Sequence, residues 1–191
     1  MKVCRAQVED NRARILAAAA RLFREHGFDG VGIAQITQAA GLTHGAFYRH
    51  FASKQDLIAQ SISESFTQAA RRWNRRIAEH GLAGHVARYL SAEHRDTPDN
   101  GCVVSSLAAD ASRCEAPIRT GFAGGVETLL KELETGLAGL PPAQRRTRAL
   151  VMLAAMSGAL TLSRAAGDDA LSDEILATVA RELTLETTTG A

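Results

Sequence analysis

The chain has 191 residues, 46% hydrophobic and 23% charged, with a formal net charge of +1. That apolar share excludes intrinsic disorder and suffices for a core, while 5% aromatics and abundant Ala and Leu favour helices over sheets. Three widely spaced cysteines make no disulfide framework, and no apolar run follows Lys2 and Arg5 as a secretion signal requires, so an all-α cytoplasmic protein is expected.

The charge is unevenly spread. Residues 1–80 hold 12 Lys/Arg and 7 Asp/Glu, a net of +5, which leaves a net of −4 on residues 81–191. A basic N-terminal part suits a polyanion partner. Taken in chain order, Ile15, Ala18, Ala19, Leu22 and Phe23 recur at helical spacing over residues 10–26, and Gly27 is a stop signal. Two short helices follow, over 33–40 and 44–51, joined by Gly41-Leu42-Thr43, with Thr43 placed to cap the second and Phe47 and Phe51 on one face. Ser53-x-x-Asp56 resembles a capping box and opens a long helix to about residue 80.

Beyond Gly81 a helix is expected over 82–94, ended by the turn cluster at 96–101. Helices over 102–113 and 117–137 come next, with Gly124-Gly125 able to bend the second. Pro141-Pro142 introduces a helix containing an apolar run over 150–162. These 13 residues fall short of the roughly 20 a membrane span needs. A stop at 167–169, a last helix capped by Ser172 and a frayed tail from Glu186 complete a count of nine helices.

Two short helices around a glycine turn are the geometry of a helix-turn-helix, whose second helix enters a DNA major groove. Its outward side carries His44, Tyr48 and Arg49, and the hydroxyl of Thr43 and the ammonium of Lys54 suit phosphates. The run from Phe23 to Gly30, and that from Ile36 through Gly41-Leu42-Thr43-x-Gly45-x-Phe47-Tyr48-x-His50-Phe51 to Ser53-Lys54, resemble tetracycline-repressor (TetR/AcrR-type) regulators. The likeness covers residues 10–62. It implies an N-terminal three-helix DNA-binding domain over 1–52 and a C-terminal effector-binding and dimerisation domain over 53–191. By motif position Thr43, His44, Gly45, Tyr48, Arg49, His50 and Lys54 face double-stranded DNA. The resemblance also implies a homodimer that leaves a palindromic operator when a small molecule binds. Val31-Gly32 departs from the hydroxyl residue that relatives usually show ahead of the first short helix, and Ala34-Gln35 from a common Arg-Asp pair.

The 150–162 run is apolar nearly all round, so both sides need cover. With the last helix it points to a four-helix interface between two copies, formed by Leu153, Ser157, Gly158, Ile175, Val179 and Leu183. A pocket lined by Phe66, Trp73, Leu107, Phe122, Met152 and Met156 would take a mainly apolar effector. No nucleotide-binding glycine motif, nucleophile elbow or metal-ligand spacing is present, so no enzyme, cofactor, metal or membrane partner is expected. The alternative is a ligand-independent or thiol-based, redox-sensing helix-turn-helix regulator. Twelve residues of helix, about 18 Å, would separate Cys102 from Cys114, too far for a direct disulfide.

Overall fold

A computed structural model describes residues 5–167 and 169–188, which form nine α-helices and one 3-10 turn, with no strand among the described residues. The first helix, α1 (Arg5–His26), starts earlier than the periodicity predicts. Residues 5–9 contain no stop signal, and Arg5 and Glu9 pair at 3.5 Å across one turn. Its inner stripe is Ile15, Leu16, Ala18, Ala19 and Phe23. Gly27, at φ +73°, ends it and donates its N–H to the Phe23 carbonyl at 2.8 Å.

The turn between α2 (Ile33–Ala39) and α3 (His44–Phe47) depends on Gly41 for two reasons. Its φ is +66°, and a Cβ there would lie 2.7 Å from the Arg14 guanidinium, which donates to the Ala40 carbonyl at 2.5 Å. Helix α3 is shorter than predicted. Residues 48–50 form a turn that brings Phe51 beneath Phe47, ring centroids 5.5 Å apart, both buried. Ahead of α2, Gly32 has no side chain to accept from the helix. The Gln35 side chain accepts from the Gly32 N–H at 2.8 Å instead.

Helix α4 (Lys54–Tyr89) opens on Ser53, whose hydroxyl accepts from the Asp56 N–H at 3.0 Å, while the Asp56 carboxylate accepts from Ala52 rather than Ser53. Gly81, at φ 68° and ψ 176°, breaks it where the sequence places the break. The helix expected over 82–94 is two pieces, because Ser91 re-caps the chain for α5 (Ala92–Asp96) by accepting from the His94 N–H. A 3-10 turn (Pro98–Asn100) leads to α6 (Val103–Arg113), α7 (Ala116–Gly136), α8 (Pro142–Ala166) and α9 (Ala170–Thr188). Helix α7 runs unbroken through the Gly124-Gly125 pair, and Gly125 is the point where the Phe66 ring of α4 packs directly on its backbone.

Ser172 is not a cap. It lies inside α9, fully buried, donating to the Ser163 carbonyl at 2.8 Å and accepting from Arg95 at 2.9 Å. Arg95 also meets Asp173 and Asp96, each at 2.7 Å, and so fastens α5 to α8 and α9. Asp168 and the tail 189–191 lie outside the described residues, and α9 continues to Thr188, past the expected fraying point at Glu186. Helix α8 corrects the run-length argument. Over 18 residues its mean hydropathy is 1.5, so by length and composition it is long and apolar enough to cross a membrane, with 39% of that stretch buried inside the chain. One contiguous core runs from Ile15 in α1 through α4 to Leu183 in α9.

Candidate nucleic-acid interface

Phe47 and Phe51 form the base of the helix-turn-helix, with Ile36 and Thr37 of α2 buried beside them. From that base Thr43, His44, Gly45, Tyr48 and Arg49 project as one exposed tip. Thr43 occupies the cap position, but its hydroxyl makes no capping hydrogen bond and stays available to another acceptor or donor. Tyr48, 60% exposed, stands edge-on to His44 and Phe47, with centroids at 5.7 and 5.1 Å, which fixes its phenol outward. Open space surrounds Gly45, with nothing within 4 Å of where a Cβ would be. A polymer backbone can therefore approach closely there.

His50 is half-buried, and burial, Arg12 and Arg49 push its pKa below the ordinary imidazole value. Arg12 belongs to α1, outside the helix-turn-helix motif. It lies over the Phe51 ring, 5.7 Å from the centroid, and donates to Gln60 of α4. The missed signal is weak, since only the packing of α1 against α4 brings position 12 beside position 50. Lys54 is half-buried in the wall of a cleft shared with Asp29, Asp110 and Glu115, so carboxylates flank it on one side.

All six residues expected to line the pocket belong to, or pack against, the one hydrophobic core. Phe66 packs edge-on to Phe122 at 5.1 Å, and Leu107, Met152 and Met156 are core residues. A cavity of about 310 Å³ lies instead along α4 and α5, walled by Trp73, Tyr89, Arg72, Arg76, Arg88, His94 and the 3-10 turn; of the six expected residues Trp73 alone is in this wall. His94 is locked in its neutral form. Its Nδ1 faces the Tyr89 carbonyl at 2.7 Å and its Nε2 accepts from the Cys102 N–H at 3.1 Å. Burial above all holds both His94 and His85 at a pKa of about 4.

The interface residues divide. Leu153, 5% exposed, and Leu183 are buried in the chain's own core. Ser157, Ile175 and Val179 are half-buried and Gly158 is exposed. Among the described residues, five of the seven exposed large apolar side chains lie on these last two helices: Leu150, Val151, Leu162, Leu171 and Leu185. Cys102 and Cys114 sit at opposite ends of α6, both free. Burial and the nearby Asp110 raise the Cys114 pKa, which disfavours its thiolate.

These helices define an all-α, helix-turn-helix protein with a larger helical body. Residues 15–60 match the family model described as bacterial regulatory proteins, tetR family. Relatives include the HTH-type transcriptional repressor DhaR of Mycobacterium sp. (strain GP1), 24% identical over 57% of this chain and 56% of that one. The HTH-type transcriptional regulator AcrR of Shigella flexneri is 39% identical over 31% of this chain and 28% of its own length. The chain thus matches about half, or less, of these curated relatives. A TetR transcriptional regulator from Legionella pneumophila superposes with a TM-score of 0.78 at 19% identity, covering 97% of this chain and 99% of that one. The FadR regulator of Bacillus subtilis, solved in complex with stearoyl-CoA, superposes at 0.63 with 19% identity, covering 88% of this chain and 97% of its own. Motif and fold agree: residues 15–60 carry the motif of the tetR-family model, and the described chain has the fold of a solved TetR regulator.

Proposed function

We propose that this chain is a DNA-binding transcriptional regulator, a homodimeric repressor that reads a palindromic operator and responds to a small-molecule effector. The observation that carries the reading is the exposed tip at residues 43–49, raised on a buried aromatic base. His44 and Arg49 are its base readers, and Arg can pair bidentately with guanine O6 and N7. Thr43, Tyr48 and Lys54 contact phosphates, Gly45 admits the sugar-phosphate backbone, and Arg12 adds positive potential beside a neutral His50. In this division of labour residues 1–52 bind DNA and residues 53–191 sense and dimerise.

Pairing follows from the exposed leucines and valine of α8 and α9. Gly158 and Ala154 allow a second copy to approach α8 closely, and two tips about 34 Å apart read one face of the duplex. Used this way, the apolar surface of α8 faces protein and not a membrane, and the protein works in the cytoplasm without catalysing a reaction. The names of the relatives, transcriptional repressor and regulator, support this reading. A thiol switch that joins Cys102 to Cys114 is disfavoured by their positions at the two ends of α6.

The test is selection of DNA from a random pool by the purified full-length chain, followed by anisotropy measurements on the enriched site. An enriched palindrome bound far more tightly than scrambled DNA is expected. Absence of any enriched sequence, with equal affinity for all duplexes, refutes the proposal.

A further inference from the structure

The wall of the cavity beside α4 is cationic, and the cations do not all have partners. Arg88 is engaged by Glu93 and by the Ser91 hydroxyl. Arg24, behind the wall, donates to the Asp99 carbonyl at 2.8 Å and has the Asp99 carboxylate near it. Those two carboxylates, Glu93 and Asp99, are the acidic groups of the lining. Arg72 and Arg76 remain. They stand one turn apart on the same face of α4, half-buried, with no hydrogen bond or ion pair to any described residue. Burial lowers the pKa of each, and neighbouring arginines add to the effect, yet a guanidinium stays charged under such a shift.

Two half-buried guanidiniums that repel one another, with Glu93 near Arg76 already bound by Arg88, are an unfavourable arrangement unless something supplies further negative charge. DNA is a poor candidate. Arg72 is eighteen residues along α4 from Lys54, about 27 Å at 1.5 Å per residue, away from the tip at residues 43–49. The cavity volume of about 310 Å³ is at the small end of the range for ligand sites. Trp73 lies between the two arginines in sequence and lines the same space.

We propose that this cavity binds a small organic oxyanion, a carboxylate or phosphate ester, gripped by Arg72 and Arg76 with its organic part against Trp73. The proposal deepens the effector-responsive reading above and rests on it for its consequence. The wall includes Asp99, Asn100 and Gly101, the turn whose Asp99 carbonyl holds Arg24 of α1. An anion that neutralises Arg72 also relieves its repulsion of Arg24, and so bears on the link between the body and the helix-turn-helix.

Trp73 is the single tryptophan of the chain, so its fluorescence reports from the wall of this cavity. Full-length protein is titrated at constant ionic strength with benzoate, phenyl phosphate and neutral benzamide. A saturable change with at least one of the two anions, and none with benzamide, is expected. The tighter of the two anions identifies the oxyanion class. R72Q and R76Q, each checked for native helicity by circular dichroism, should weaken that binding at least tenfold, whereas R75Q, the same charge change on an exposed neighbour outside the wall, should not. Benzamide binding as well as the anions, an R75Q loss equal to that of R72Q and R76Q, or no saturable change with either anion overturns the proposal. The titration contains no DNA, so its result stands apart from the operator-selection experiment.

Discussion

Substituting Ala at Gly125 and, separately, at its neighbour Gly124 tests whether the region around Phe66 and Phe122 is closed packing or an apolar pocket. A Cβ on Gly125 would lie 2.5 Å from Cε2 of the Phe66 ring and closer still to Cγ and Cδ2. Ordinary carbon contacts are about 3.5–4.0 Å, so the ring or the α7 backbone must move by about 1 Å or more. Such overpacking costs about 1–3 kcal/mol. A Cβ on Gly124 meets nothing within 4 Å. Both substitutions gain about 1 kcal/mol of helix propensity, which cancels when the two are compared. The expectation is therefore that Gly125→Ala is about 1–3 kcal/mol less stable than Gly124→Ala. Urea unfolding, followed by Trp73 emission at one fixed protein concentration, measures the difference. If Gly125→Ala proves as stable as Gly124→Ala, the Phe66 ring has room to move and the apolar pocket read from the sequence regains its footing.

Arg49→Ala should lose about 1–3 kcal/mol on the selected operator and little on scrambled DNA, and equal losses on both would reassign Arg49 to phosphate. Lys54→Ala should lower the slope of log affinity against log salt by about one unit, and an unchanged slope would assign its ammonium to the carboxylates of its cleft. His85 and His94 have folded pKa values of about 4, below the unfolded value, so between roughly pH 6.5 and 4 the unfolded chain binds more protons. Stability should accordingly fall as the pH drops through that window, by up to about 1.4 kcal/mol per pH unit for each histidine. His85→Leu should flatten the dependence, and a flat wild-type profile between pH 6.5 and 5 would contradict the assignment. Val151→Asp places a charge on a side chain 50% exposed in the single chain, so it should leave the helices intact and halve the sedimenting mass. An unchanged dimer would move the interface elsewhere.

The helix-turn-helix was legible because its determinants are local. Gly41 must take a positive φ, Phe47 and Phe51 must share a face, and Ser53 must start the next helix, each within a few residues. The break at Gly81 was readable for the same reason. Periodicity could not tell that Leu153 lies on the side of α8 its own chain already covers, since the helix is apolar nearly all round. Gly124-Gly125 read as a possible bend because the ring that packs on Gly125 comes from residue 66, distant in sequence. The cavity is the clearest case. Arg72 and Arg76 in the sequence are an ordinary charged face, and only the folding of α5 and the 3-10 turn across α4 encloses them. Local backbone geometry and helical spacing thus determined the elements and the exposed tip. Which faces meet, and which charges are left unpaired when they do, is a long-range matter of packing that tertiary structure alone decided.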